Sequence, residues 1–193
     1  MKDALLVGAL VVGYIVGAIP VSNIVARVAQ GLDLRCVGSG TVTPSNLYRT
    51  GGLRLALIAG FFEVAKGTVG PVLVGPGHLW LAALAGALAV SGHNWSPFLK
   101  GAGGRGLSTA TGALMIVAWP GAALMCGALA VGVLTRRIFP AITIALFALV
   151  PLLAVVGGLA EAIAGAIVVT PIGVKTAFVI RRERADKRPT AGS

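Results

Sequence analysis

Residues 91–112, SGHNWSPFLKGAGGRGLSTATG, place a glycine-rich basic loop between two apolar segments of the chain. The loop contains four closely spaced glycines, which permit tight turns and let backbone N–H groups approach an anion because no Cβ stands in the way: Gly101, Gly103, Gly104 and Gly106. An apolar helix that starts directly after such a loop adds the positive end of its dipole. The stretch predicts a phosphate site, and the alternative is a flexible, positively charged connection between two helices.

Side chains in and around this loop supply candidate ligands for the phosphate. Arg105 lies among the glycines, and the hydroxyl groups of Ser108 and Thr109 follow at the predicted start of the next helix. Lys100 adds a second positive charge before the glycines. His93 stands twelve residues before Arg105, so it is either a hydrogen-bonded residue at the end of a helix or a further ligand of the same anion.

The composition indicates an integral membrane protein. Of the 193 residues, 56% are hydrophobic and only 11% are charged, which leaves too few polar side chains to cover a water-facing surface. The 28 glycines suit helices that pack closely in lipid, where small side chains let two backbones approach. Cys36 and Cys126 show no metal-ligand spacing, and we expect neither a metal nor a cofactor. We predict one all-α polytopic domain over residues 1–180 and a basic cytoplasmic tail over residues 181–193.

The positive charges predict how the chain crosses the membrane. The formal net charge is +10, but the basic residues are confined to short segments between apolar runs, so they favour topology signals over nucleic-acid binding. Fourteen of the sixteen Lys and Arg residues fall within segments 27–54, 100–105, 136–137 and 175–188. These segments share the cytoplasmic side only if the apolar stretch 107–134 crosses the membrane twice. We therefore predict seven transmembrane helices, with the N-terminus out and the C-terminus in.

The sequence Trp119-Pro120-Gly121 divides that apolar stretch and predicts two short helices around Pro120. Each helix is then shorter than the about 20 residues that usually span a bilayer, so one long kinked span is the alternative. The same topology places two polar loops, residues 30–54 and 99–107, on the cytoplasmic side. A polar connection as long as the first of these is usually functional.

Motifs distributed over nearly the whole chain resemble the bacterial acyl-phosphate:glycerol-3-phosphate acyltransferases, the PlsY family of small seven-span inner-membrane enzymes. The first loop contains Asp33-Leu-Arg35 and Gly38-Ser-Gly40, which are similar to the family's Asp-Leu-Arg-x-x-Gly-Ser-Gly. Glu63-x-x-Lys66 lies on one face of a predicted span, as an ion pair or as part of a site, and is similar to the family's Asp-x-x-Lys. Residues 92–112 align without a gap with Gly-His…Lys-Gly-Gly-Lys-Gly-Val-Ala-Thr.

Three segments depart from the family pattern. Residues 38–46, GSGTVTPSN, replace the family's Gly-Ser-Gly-Asn-x-Gly-Ala-Thr-Asn. Ala102 and Arg105 replace two lysines of the phosphate loop, although a guanidinium group also binds phosphate. Residues 181–184, Arg-Arg-Glu-Arg, replace His-Arg-Glu-Asn in the tail.

The resemblance implies transfer of a fatty acyl group from acyl phosphate to the 1-hydroxyl of glycerol 3-phosphate, giving lysophosphatidic acid for phospholipid synthesis. It implies a bacterial inner-membrane location with the active site facing the cytoplasm. The implied partners are the lipid bilayer and the soluble enzyme that produces acyl phosphate, and no nucleic acid.

The resemblance also implies the site residues. Catalytic roles are implied for Ser39, His93 and Arg105. Arg105 and the amides of the glycine loop are expected to hold one substrate phosphate, and Arg49 with Ser39 the other. Roles in binding the substrates are implied for Gly38, Gly40, Ser45, Asn46, Arg49, Lys66, Lys100, Gly103, Gly104, Gly106, Ser108, Thr109, Thr143, Arg181 and Arg184.

The sequence offers no serine–histidine–acid triad, so we expect a substrate phosphate oxygen to act as the base. Two other functions fit some of the same residues. Glu63, Lys66 and Glu161 in predicted spans also suit a small membrane transporter, although the polar loops gather on one face rather than at the midplane. A catalytically degenerate homologue that binds only lipid or a partner is the other alternative.

The predicted topology is testable by cysteine labelling from outside the cell, in a chain whose two native cysteines are replaced by alanine. A membrane-impermeant thiol reagent should modify Gly121→Cys and spare Arg136→Cys and Thr190→Cys, because seven helices place these positions on opposite sides. Protection at all three positions would instead favour one long span over residues 107–134.

Overall fold

The computed structural model describes the backbone of residues 2–186 and the side chains of residues 3–181. Within this part of the chain the structure is all-helical, as predicted. Eight α-helices follow one another: α1 Lys2–Ala18, α2 Val21–Gln30, α3 Pro44–Val74, α4 Leu79–Asn94, α5 Leu107–Val117, α6 Trp119–Leu134, α7 Ile138–Val156 and α8 Gly158–Asp186. The predicted tail therefore starts as a continuation of α8, and its residues 187–193 lie outside the described residues.

Four segments of the described chain are long and apolar enough to cross a membrane: Asp3–Gln30, Pro44–Val74, Ile138–Val156 and Gly158–Arg181. The apolar helices α5 and α6 are shorter. They meet at Ala118, whose extended backbone (φ −158°, ψ 80°) interrupts the helix just before Trp119 and Pro120. The predicted pair of short helices around Pro120 is thus confirmed, whereas seven crossings and the orientation stay predictions.

Pro20 breaks the first apolar segment into α1 and α2. The break leaves the carbonyls of Ala18 and Ile19 without their helical i+4 donors, because Ser22 N binds Glu63 and Asn23 N binds Pro20 O. Side chains from distant helices bind these carbonyls: Ser96 Oγ donates to Ala18 O at 2.6 Å, and Lys66 Nζ donates to Ile19 O at 2.7 Å. The kink therefore attaches α1 to polar residues of α3 and of the segment after α4.

Helix α3 begins earlier than the sequence analysis predicts. The predicted loop 30–54 ends at Thr43, because Thr43 caps α3 by accepting a hydrogen bond from Asn46 N and Pro44 occupies the first turn. Gly52 (φ 82°) then introduces a kink without ending the helix. The irregular part of the predicted loop is residues 31–43, which we call the hydroxyl loop.

Small residues let the helices approach closely. Helix α1 packs on α4, α3 on α5 and α6 on α7, while α8 contacts both α4 and α7. At the α3–α5 crossing, Gly67 lies against the carbonyl of Thr109 and Gly112 against the carbonyl of Val64, so a Cβ at either glycine would overlap backbone. Large apolar side chains point outward instead, such as Phe147, which is 80% exposed. This distribution is typical of a bundle surrounded by lipid.

The close α3–α5 crossing predicts that alanine substitutions at two glycines differ in their effect on thermal stability. Gly112→Ala should lower the thermal unfolding temperature in detergent, because forcing a methyl group into a packed crossing costs about 1–3 kcal/mol. Gly127→Ala is the matched control: no atom lies within 4 Å of its added Cβ, so it should leave the temperature unchanged or raise it. Equal unfolding temperatures for the two variants would contradict this close packing.

Candidate active site

The glycine-rich residues after α4, which we call the glycine loop (residues 100–106), fold back onto the end of that helix. Gly104 N donates to His93 O at 3.2 Å, and Ser96 N donates to Ala102 O at 3.1 Å. Gly103 packs directly on the carbonyl groups of His93 and Asn94, where any Cβ would overlap them. Only glycine therefore allows this loop to lie against α4.

The hydroxyl loop is shaped by one buried amide. The Nδ2 group of Asn46 lies within hydrogen-bond distance of three carbonyl oxygens, those of Leu34, Val37 and Thr41, at 3.0–3.2 Å. Its Oδ1 accepts from Ser39 N at 3.0 Å. The amide of Asn46 is therefore engaged with the loop and fixes the position of Ser39, while its predicted contact with substrate stays a prediction.

Both ends of the hydroxyl loop are anchored. Asp33 binds Arg27 of α2 and Arg35, each at 2.6 Å. The Arg35 guanidinium, together with Arg27, holds the pKa of the Asp33 carboxyl well below its usual range. Leu34 and Val42 are buried in a small apolar cluster beneath the loop. The loop therefore keeps its shape although Gly38, Ser39 and Gly40 at its tip are exposed; the two glycines take positive φ values of 59° and 68°.

Four hydroxyl groups form a continuous series along this loop and into α3. The successive oxygen–oxygen distances from Ser39 to Thr41, Thr43 and Ser45 are 2.8, 3.3 and 3.0 Å. Arg49 lies one helical turn beyond Ser45 and is exposed. Ser39, Ser45 and Arg49 were predicted as site residues, whereas Thr41 and Thr43 were not.

The two loops meet, as the predicted site requires. Val42 N donates to Gly103 O at 3.3 Å, which joins the hydroxyl loop to the glycine loop. Gly104 is enclosed by Val42 O, the methyl group of Thr43 and Nε2 of His93. His93 Nε2 therefore lies at the junction of both predicted phosphate-binding loops.

A fully buried carboxylate lies behind this junction. Glu63 Oε1 accepts from Ser22 N at 3.2 Å and from Ser22 Oγ at 3.0 Å. Its Oε2 lies 2.7 Å from Lys66 Nζ, 2.9 Å from His93 Nδ1 and 3.4 Å from Thr109 Oγ1. Helices α2, α3, α4 and α5 thus share one carboxylate, which we call the Glu63 hub. A charge this deeply buried persists only when it is paired and hydrogen-bonded.

Two neighbours in the hub compete for Nδ1 of His93. The Lys66 ammonium, which can only donate, lies 2.7 Å from Ile19 O, 2.7 Å from Glu63 Oε2 and 3.0 Å from His93 Nδ1. Glu63 Oε2 lies 2.9 Å from the same nitrogen, so a proton on Nδ1 could donate to the carboxylate but would also face the ammonium. An ammonium has three hydrogens, and Lys66 has three acceptors only if Nδ1 is one of them. We therefore infer that Nδ1 accepts from Lys66 and that the ring proton lies on Nε2, facing Gly104.

Two residues predicted to bind substrate contact the hub, and for Lys66 the alternative of an ion pair with Glu63 is confirmed. The Lys66 side chain is 5% exposed, and its ammonium is surrounded by protein acceptors. Thr109 is fully buried, and its hydroxyl donates to Glu63. Neither side chain reaches the surface of the loops, so both support His93 and α5 from behind.

Two of the predicted cations, Lys100 and Arg105, belong to the glycine loop itself and are exposed. Arg105 is exposed, and its guanidinium lies 5.3 Å from the centre of the Phe139 ring on α7, a cation–π contact. Thr143, one turn further along α7, donates its hydroxyl to Phe139 O at 2.9 Å. Lys100 is exposed, with a left-handed backbone (φ 56°).

The remaining predicted residues lie at helix ends. Gly106 (φ 77°) is the residue before α5, and Ser108 is half-buried in its first turn. Arg181 is exposed on α8. The side chain of Arg184 lies outside the described residues.

Lys175 of α8 is a cation near the glycine loop that the sequence analysis missed. Its Nζ donates to Asn94 O at 2.8 Å and lies 5.2 Å from the centre of the Trp95 ring. Because Asn94 O also packs against Gly103, this half-buried ammonium borders the glycine loop. A lone lysine within an apolar span was the only signal available for it.

Comparison with known proteins identifies related sequences. A family model described as glycerol-3-phosphate acyltransferase matches residues 7–188. Glycerol-3-phosphate acyltransferase 5 of Dehalococcoides mccartyi is 45% identical over 65 residues, which are 34% of this chain and 28% of that protein. The glycerol-3-phosphate acyltransferase of Brucella suis is 39% identical over 71 residues, 37% of this chain and 35% of that protein. The aligned part of the chain spans about a third of the length of these curated relatives.

Two solved structures share the fold over nearly the whole chain. Both are crystal structures of PlsY, an integral membrane glycerol 3-phosphate acyltransferase, in its glycerol 3-phosphate form and its lysophosphatidic acid form. Their TM-scores are 0.80 and 0.77 at 23% and 21% identity. Each alignment covers 97% of this chain, and 96% and 95% of the respective PlsY chain. The likeness, with the apolar helices, places this chain among multi-pass membrane proteins.

Proposed function

The chain belongs to the glycerol-3-phosphate acyltransferase family, and we propose that it transfers a fatty acyl group from acyl phosphate to the 1-hydroxyl of glycerol 3-phosphate. The products are lysophosphatidic acid and inorganic phosphate. The observation that carries the proposal is the junction of the two loops, where Val42 N binds Gly103 O and His93 Nε2 faces Gly104.

Two phosphate-bearing substrates require two anion sites that share one reacting centre. The glycine loop offers backbone amides, with Arg105 at its surface, for one phosphate. The tip of the hydroxyl loop offers Ser39, with Arg49 and Ser45 on α3, for the other. Since the loops are hydrogen-bonded to each other, substrates held by them lie side by side, which is the arrangement that favours transfer between them.

The reaction requires the two substrates to be positioned, because the acyl phosphate is already an activated acyl donor. The 1-hydroxyl oxygen attacks the acyl carbon, the bond from that carbon to the phosphate oxygen breaks, and the hydroxyl proton moves to a phosphate oxygen. In the assigned tautomer His93 donates a hydrogen bond from Nε2 and does not accept the proton there. We therefore assign His93 to stabilising the negative charge that develops in the transition state, and a substrate phosphate oxygen to the role of base.

The hub and the surface cations have supporting roles. Glu63 and Lys66 hold His93 in this orientation and do not touch substrate. Lys175 adds positive potential beside the glycine loop. The predicted topology places both loops at the cytoplasmic face of the bacterial inner membrane, where the soluble enzyme that makes acyl phosphate delivers the donor for phospholipid synthesis.

Purified protein should convert acyl phosphate and radiolabelled glycerol 3-phosphate to labelled lysophosphatidic acid. Acyl-CoA or acyl carrier protein as the sole donor should give no product, because an acyl phosphate supplies the phosphate that the glycine loop is proposed to bind. Turnover with acyl-CoA alone would contradict the proposed donor. Lipid binding without any turnover would favour the degenerate homologue.

In the same assay Arg105→Ala should lower kcat/KM for acyl transfer by about ten- to a hundredfold, because a charge-assisted hydrogen bond to phosphate is lost. Arg105→Lys should retain much of the activity, since an ammonium also binds phosphate. Arg54→Ala is the matched control, an exposed arginine of α3 outside both loops. If Arg105→Ala behaves like Arg54→Ala, Arg105 serves only as a topology signal.

A further inference from the structure

The series of hydroxyls from Ser39 to Ser45 does more than shape the loop. Asn46 already fixes the loop backbone through four contacts of its amide. The hydroxyl of Thr41 forms its hydrogen bonds only with Ser39 and Thr43, among the residues that the structure describes. The series ends at the exposed Ser39, which belongs to the proposed active site.

We propose that Thr41 and Thr43 are positioning residues that orient the Ser39 hydroxyl as a hydrogen-bond donor to a substrate oxygen anion. This inference rests on the proposed function in one respect, the contact of Ser39 with substrate. The two threonines themselves touch no substrate and act through Ser39.

The direction of the series follows from the number of hydroxyl hydrogens together with the electrostatic potential of the α3 N-terminus. Each hydroxyl has one hydrogen, so Thr43 donates to one neighbour and accepts from the other. Thr43 Oγ1 also accepts from Asn46 N at 3.2 Å, at the N-terminus of α3. The positive potential of a helix N-terminus turns hydroxyl oxygens toward it and hydrogens away from it. Each hydroxyl therefore donates toward Ser39, in the order Ser45, Thr43, Thr41, Ser39.

This direction has a chemical consequence for Ser39. Its oxygen accepts from Thr41, so its own hydrogen remains available for an anion. Hydrogen bonds in a chain polarise one another, and a hydroxyl that already accepts is a stronger donor. Ser39 is thereby a donor to phosphate or to the developing oxyanion and not a base, which agrees with a substrate phosphate oxygen taking the proton.

Thr41 is the position at which to test the series. Thr41→Val removes the linking hydroxyl but keeps the backbone carbonyl that accepts from Asn46 Nδ2 at 3.0 Å. Substituting Thr43 would also remove the cap of α3, so its effect would mix two causes. Thr41→Ser restores the hydroxyl and is the matched control.

The experiment is a double-mutant cycle between Thr41→Val and Ser39→Ala. Two readouts are measured on each full-length variant: kcat/KM for acyl transfer, and the dissociation constant for inorganic phosphate. Thr41→Val should lower kcat/KM and raise the dissociation constant for phosphate, each by about three- to tenfold, which is the effect of losing one neutral hydrogen bond. Thr41→Ser should change neither quantity. In the Ser39→Ala background Thr41→Val should have no further effect, because its influence passes through Ser39.

Three results would overturn the inference. The first is a Thr41→Val enzyme with unchanged kcat/KM and phosphate affinity, and the second is an equal effect of Thr41→Val in the wild-type and Ser39→Ala backgrounds. The third is a loss of thermal stability that accounts for the lower activity. If the wild-type protein shows no acyl transfer, the proposed function fails on its own. The dissociation constants for inorganic phosphate then still test the hydroxyl series. Non-additive effects of the two substitutions on phosphate binding support it, and additive effects or an absence of phosphate binding contradict it.

Discussion

The carboxylate of Glu63, fully buried among four helices, is the constraint on which the rest of the structure depends. An isolated charge in such a place is too costly to persist, so its neighbours must supply a counter-charge and donors. Lys66 supplies the charge, and Ser22 and Thr109 supply hydroxyl groups from α2 and α5. Lys66 also binds the carbonyl of Ile19 that the break at Pro20 exposes. One ion pair thereby fixes the kink of the first apolar segment and the crossing of α3 with α5.

The site is built outward from this hub. His93 receives its orientation from Lys66, and its carbonyl in turn holds Gly104 N of the glycine loop. The glycine loop then binds the hydroxyl loop through Val42. Glu63 at the centre is fully buried, whereas Ser39 and Arg105 at the outer ends of the two loops are exposed. This order places rigid support behind exposed donors, which is the arrangement that electrostatic catalysis requires.

Local signals in the sequence predicted the helices. The features that were not predicted depend on contacts between residues far apart in the chain. Apolar length predicted the apolar helices, and the division of residues 107–134 near Pro120 was also predicted. The start of α3 was predicted too late, although Thr43 and Pro44 form a capping signal, because no apolar period follows them directly. The spacing of Glu63 and Lys66 indicated their ion pair as one of two alternatives, and the structure contains it. The contact of Glu63 with Thr109, 46 residues away, left no trace in spacing. The replacement of the family's Asn and Gly by Thr41 and Thr43 was visible, but their alignment with Ser39 appears only in the folded loop.

The claim that the hub turns His93 into a donor at the loop junction is tested most directly by nitrogen NMR of protein labelled with ¹⁵N-histidine. The chain contains two histidines, so the spectrum of a His78→Gln variant assigns the signals of His93. The tautomer inferred above has a proton on Nε2 and an unprotonated Nδ1 that accepts from Lys66, and this is the spectrum we expect. A proton on Nδ1 with a free Nε2 would make His93 an acceptor at the junction and contradict the account.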